Sequence, residues 1–112
     1  APAGVTEAVQ CGPRLVVKGE VTRLKKQYAR RSAIGIDRAG RVLLVVTNGS
    51  AMDATYLARA LRAPEAEHGL DCRDALNLDG GGSTQLHARV GGFRLDVPGT
   101  WPVPDGLGVF RR

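Results

Sequence analysis

Ser32-Ala33-Ile34-Gly35-Ile36-Asp37 and Val42-Leu43-Leu44-Val45-Val46-Thr47 flank the tetrapeptide Arg38-Ala39-Gly40-Arg41. Both runs are short, apolar and rich in β-branched residues, and a glycine-containing connection of this length suits a tight turn. The stretch predicts an antiparallel hairpin. Val42–Val46 is apolar at every position, which predicts a central strand covered on both faces.

Working outward, Arg14–Lys18 is another short apolar run, placed after the turn pair Gly12-Pro13. Downstream, Asp53 is placed to cap a helix whose Ala54, Leu57, Ala58 and Leu61 recur at helical spacing. Pro64 ends that pattern or starts a second short turn. Ala75–Leu78 reads as a buried strand that runs directly into three glycines. Thr84–Val90 and Phe93–Val97 flank Gly91-Gly92, a strong two-residue hairpin signal. Gly106–Phe110 predicts a last strand. No internal repeat, low-complexity segment or linker interrupts the chain. Residues 1–112 therefore read as a single α+β domain, a largely antiparallel mixed sheet with one main helix packed on it.

A chain of 112 residues with 43% hydrophobic residues can bury a core, which excludes a disordered chain. Aromatic residues are only 4%, so the core rests on Val, Leu, Ile and Ala. The net charge of +5 is concentrated at one end: residues 1–31 hold seven Lys/Arg against Glu7 and Glu20. The run Arg23-Leu24-Lys25-Lys26 to Arg30-Arg31 attracts anions or is simply a solvated basic loop. Tyr28 is the lone aromatic there, so stacking platforms for single-stranded nucleic acid are missing, and nucleic acid is not an expected partner. No apolar run reaches membrane-span length. Ala1-Pro2-Ala3 suits a mature N-terminus. Cys11 and Cys72 lack metal-ligand spacing, and for an exported protein their pairing as a disulfide is the expectation.

Asp79-Gly80-Gly81-Gly82-Ser83-Thr84 is the segment richest in chemistry. Consecutive glycines cost backbone entropy and persist where their freedom is needed. Such a turn can aim successive N–H groups at an anion, with Ser83 and Thr84 adding hydroxyls. A carboxylate held beside an anion nest suits chemistry at a sugar C1. A plain β-turn, with Asp79 bonded to its own backbone, fits the same residues. Composition and spacing leave both readings open.

Ala75-Leu76-Asn77-Leu78-Asp79-Gly80-Gly81-Gly82-Ser83-Thr84 resembles the signature of the phosphodiester glycosidase family. Gln10-Cys11-Gly12-Pro13-Arg14-Leu15-Val16 is similar to its Gly-Pro-x-Leu segment, and Arg31-Ser32-Ala33-Ile34-Gly35-Ile36-Asp37 to its Arg-Thr-Ala-Ile-Gly strand. The resemblance spans residues 8–110. The family's domain normally starts further upstream, with an Asn-Gly-Gly-aromatic-Phe type of segment that contributes to the site. Nothing here matches that segment, so the chain is expected to be the C-terminal portion of such a domain, completed by an N-terminal segment or a partner chain.

The resemblance implies hydrolysis of a sugar-1-phosphodiester of the N-acetylglucosamine type at the anomeric carbon, releasing sugar and a phosphomonoester. It implies a glycan or sugar-phosphate substrate, no cofactor, and an extracellular or periplasmic location; the sequence itself shows no metal-ligand cluster, although Asp79 beside a phosphate can recruit a cation. Asp79 is the expected catalytic carboxylate and Arg31 the expected phosphate clamp, an Arg fork suiting phosphate better than Lys. Asn77, Gly80, Gly81, Gly82, Ser83 and Thr84 are the expected substrate contacts. Asp37 reads as a hairpin-turn residue, and a phosphate leaving group lessens the need for a strong general acid. His68 and His87 receive no role. The alternative is a noncatalytic carbohydrate- or phosphate-binding module with an incomplete site.

Overall fold

A computed structural model describes Gly4 and residues 11–111; Ala1-Pro2-Ala3 and Gln10 lie outside the described residues. In chain order the elements are β1 (Arg14–Val17), β2 (Glu20–Val21), β3 (Tyr28–Ala29), β4 (Ser32–Asp37), β5 (Val42–Val46) and β6 (Met52–Asp53), then α1 (Ala54–Arg62), β7 (Cys72–Asn77), β8 (Leu86–Val90) and β9 (Phe93–Val97). The main sheet has five strands in the order β2-β1-β7-β4-β5. All its described pairings are antiparallel rather than mixed. Two-stranded pairs β3-β6 and β8-β9 complete an α+β fold.

Helix α1 buries the stripe Ala54, Leu57, Ala58 and Leu61 against Leu15, Val16, Ala33, Cys72 and Ala75. The two leucines alone contribute about 1.5–3 kcal/mol each by leaving water. Asp53 occupies the N-cap position, but its side chain makes no cap bond. Its Oδ1 instead accepts the Gln27 N–H at 3.0 Å, because pairing with β3 brings that loop alongside. The extended backbone at Ala63 and Pro64 stops the helix where the proline predicts.

The register sorts the sheet into two faces. Ala33 lies opposite both Asn77 and Val45, on the face toward α1. Ile34 lies opposite both Leu76 and Leu44, on the second face, where all three are only half-buried. The second face is thus partly open, with Ile34, Ile36, Val42 and Leu76 lining a shallow hollow.

Three expectations are corrected here. β5 is an edge strand, not a central one, and Val42 is 62% exposed. The central position goes to β7, which arrives after the helix and takes the open sides of both β1 and β4. Residues 106–110 form no strand: the run holds two glycines, pairs with no sheet edge among the described residues, and leaves Phe110 88% exposed. Cys11 and Cys72 are both free thiols. Cys72 opens β7, whereas Cys11 precedes Gly12, whose carbonyl accepts from Asn77 at the strand's other end. Five strand steps separate those ends by about 16 Å, and a disulfide needs Cα atoms within roughly 7 Å.

Candidate functional site

The glycine turn leaves the C-terminal end of β7 and is held there by backbone bonds. Leu78 N–H donates to Ser32 O at 2.8 Å and Gly81 N–H to Arg30 O at 2.8 Å. Ser83 N–H and Thr84 N–H donate back to Gly80 O and Gly81 O, both at 3.1 Å, closing a single 3-10 turn over Gly81–Ser83. Each glycine has its own reason. A Cβ at Gly80 would stand 2.6 Å from Arg30 O, and one at Gly82 would stand 2.5 Å from the Trp101 ring. Gly81 has φ +59, a left-handed conformation.

These bonds narrow the expected anion nest. The N–H groups of Gly81, Ser83 and Thr84 are engaged within the protein, while those of Gly80 and Gly82 enter no such backbone bond among the described residues. Ser83 Oγ accepts the Trp101 Nε1–H at 2.8 Å, and its own proton remains available. Thr84 is fully buried, its hydroxyl 3.1 Å from Ser32 Oγ, so it fastens the turn to β4 and is closed to a ligand. Asn77 is nine-tenths buried, and its Nδ2 donates to Gly12 O and Leu78 O. Its Oδ1 is buried without a partner.

Asp79 differs from its neighbours. It is exposed, and no hydrogen bond or ion pair engages its carboxylate among the described residues. It stands at a cleft of about 340 Å³ lined also by Cys11, Ser32, Ser83, Gln85, His87 and Asp105, with apolar walls from Leu44, Leu78 and Leu86. Among the described residues the lining holds two acids, one histidine and no lysine or arginine.

Arg31 lies away from this cleft. Its Nε donates to Met52 O at 3.0 Å and its Nη2 to Gln27 O, tying β6 and the basic loop to the start of β4. Arg30 Nη2 donates to Pro98 O at 2.8 Å. Asp37 stands at the opposite end of β4 and accepts from Arg41 N at 2.8 Å and Arg41 Nε at 2.7 Å, which bears out the hairpin-turn reading. Burial pushes its pKa up, but the bonds and charge of Arg41 outweigh this and leave the carboxyl below its ordinary value.

Sequence reasoning missed His87, Gln85 and Asp105 as cleft residues. For His87 a signal existed: a two-residue turn at Gly91-Gly92 sets Val90 opposite Phe93 and, three steps on, His87 opposite Asp96. His87 Nδ1 meets Asp96 Oδ1 across that hairpin. Asp105 belongs to an irregular tail with no periodicity to place it. Among the described residues no three His, Cys, Asp or Glu side chains group as metal ligands, and no helix is long and apolar enough to cross a membrane.

No curated protein matches the chain. Among solved structures, the crystal structure of a hypothetical protein from Synechocystis is similar, with a TM-score of 0.55 and 32% sequence identity. The similarity covers 80% of this chain and 18% of that one, so the chain spans about a fifth of that protein's length. The family model described as phosphodiester glycosidase matches residues 1–110, and the chain belongs to that family.

Proposed function

We propose that the chain carries part of the active site of a hydrolase that cleaves sugar-1-phosphodiesters at the anomeric carbon, with Asp79 as the catalytic carboxylate. The observation that carries this reading is the free carboxylate of Asp79 at the cleft mouth, on a chain whose family is glycosidic. A rigid strand end aims the acid, and with no partner among the described residues it is available to a developing positive charge at C1. Gly80 N–H, Gly82 N–H and the Ser83 hydroxyl are the nearby donors for phosphate or sugar oxygens. Asn77, Thr84 and Arg31 serve this site by holding the turn and the loop behind it. The substrate class brings with it an extracellular or periplasmic location.

A second reading, a carbohydrate- or phosphate-binding module with an incomplete site, is favoured by one observation. Among the described residues the cleft lining contains no lysine or arginine to meet a phosphate. In that case the missing cation comes from an N-terminal segment or a partner chain. The deciding experiment measures N-acetylglucosamine released from its alpha-linked methyl 1-phosphodiester by this chain and by Asp79→Asn. Release that is lost in the variant supports the enzyme. Binding of the same compound without release supports the module.

A further inference from the structure

We infer that His87, held by Asp96, is the proton donor and the cationic partner of the departing phosphate in the cleft of Asp79. The inference rests on the glycosidase reading above and adds a residue to it.

Two carboxylates usually share glycosidic work, and Asp37 is unavailable, being buried at the far end of β4 and paired with Arg41. The Asp79 cleft faces a charge problem. A phosphodiester entering beside Asp79 and Asp105 brings a further negative charge to a lining without lysine or arginine. Among the described residues His87 is the one basic side chain in that lining. It stands on β8, directly opposite Asp96 on β9. Asp96 engages Nδ1, which leaves the second ring nitrogen, Nε2, for a partner outside the hairpin pair. Arg94 Nε lies 3.5 Å from Asp96 Oδ2 and holds that carboxylate in turn. The charged groups around the ring are therefore Asp96 and Arg94 within the hairpin, with Arg89 on the same hairpin face and Asp79 and Asp105 in the same cleft lining.

The step balances. As the bond from C1 to the bridging oxygen breaks, its electron pair stays on that oxygen, which takes the Nε2 proton and leaves as a phosphomonoester. The water that supplies the new hydroxyl at C1 gives up one proton, which returns to His87. Asp79 stabilises positive charge on the sugar ring while the bond is open. A nearby donor of this kind commonly contributes 10²- to 10⁴-fold, roughly, in rate.

The test uses the methyl 1-phosphodiester of N-acetylglucosamine with wild type, Asp79→Asn, His87→Ala, His87→Gln and Asp105→Asn, each checked for native circular dichroism. His87→Ala and His87→Gln are expected to lower kcat by about 10²-fold or more with a smaller change in KM. Added imidazole is expected to restore part of the rate to the alanine variant and none to Asp79→Asn. A kcat within twofold of wild type in both His87 variants overturns the inference, as does loss of rate without imidazole rescue. Full loss in Asp105→Asn beside active His87 variants assigns the proton to Asp105 instead. Wild type without any release removes the glycosidase reading itself, and this inference with it.

Discussion

Ser32 Oγ and Thr84 Oγ1 lie 3.1 Å apart in the interior, the first residue of β4 bonded to the residue that follows the glycine turn. Thr84 is fully buried, so its hydroxyl depends on Ser32, which itself is nine-tenths buried at the cleft lining. Ser32→Ala leaves the Thr84 hydroxyl buried without this partner, and Thr84→Val does the converse. Each single change is expected to cost about 1–3 kcal/mol. The double variant is expected to cost less than the sum, by roughly 0.5 kcal/mol or more, in urea unfolding. Strict additivity would mean that the two hydroxyls do not interact.

Asp79→Asn separates function from folding. The carboxylate is exposed and has no protein partner among the described residues, so the change is expected to move unfolding free energy by no more than about 0.5 kcal/mol. Sugar release should nevertheless vanish. A large drop in melting temperature would instead make Asp79 a structural turn residue.

The three glycines are expected to respond differently to alanine. Gly80→Ala drives a Cβ to within 2.6 Å of a backbone carbonyl that is fixed in β4's approach, a strain of about 1–3 kcal/mol. Gly81→Ala meets no atom but keeps φ +59, at roughly 1–2 kcal/mol. Gly82→Ala displaces Trp101 and with it the bond to Ser83, and should appear as a change in tryptophan fluorescence. Unchanged fluorescence in Gly82→Ala would contradict the packing of that ring.

Asp37 links stability to acid. Its folded pKa lies below the ordinary value, so its contribution is complete above the unfolded carboxylate pKa of about 3.9 and is lost as pH falls through the lower folded value. Chemical denaturation between pH 6 and pH 2, roughly, should show a shallower acid loss in Asp37→Asn than in wild type. Identical slopes would remove Asp37 from the acid response.

The two thiols should behave as separate groups. Burial and the nearby Asp37 and Asp71 charges raise the Cys72 pKa, and the side chain is 1% exposed. A disulfide-exchange reagent is expected to modify Cys11 in the native protein and Cys72 only after unfolding. Unfolding midpoints should not change with added reductant. Fewer than two thiols in the unreduced, unfolded chain would restore the disulfide.

Local chemistry made the hairpins and the helix legible. Gly40 and Gly91 have positive φ at the two turns, and the α1 stripe follows a period that only a helix satisfies. The sheet order was not legible, because β7 reaches its central place by pairing with β1 and β4, both distant in sequence. Strands β2, β3 and β6 have two residues each and carry no period at all. The segment around Asp79 was visible as a turn, but not which of its N–H groups the protein itself occupies. Arg31 shows the limit most clearly. A charge pattern cannot distinguish a free guanidinium from one bonded to the carbonyls of Met52 and Gln27, since both partners are delivered by tertiary approach.

Strand β7 is bonded along both edges, to β1 on one side and β4 on the other. Opening it requires breaking two ladders together, whereas the β8-β9 hairpin is held by one. Amide hydrogens of residues 73–77 should therefore exchange among the slowest in the chain, and those of the hairpin earlier. Heat or denaturant would accordingly dismantle the cleft from the His87 side, while the strand that aims Asp79 still stands.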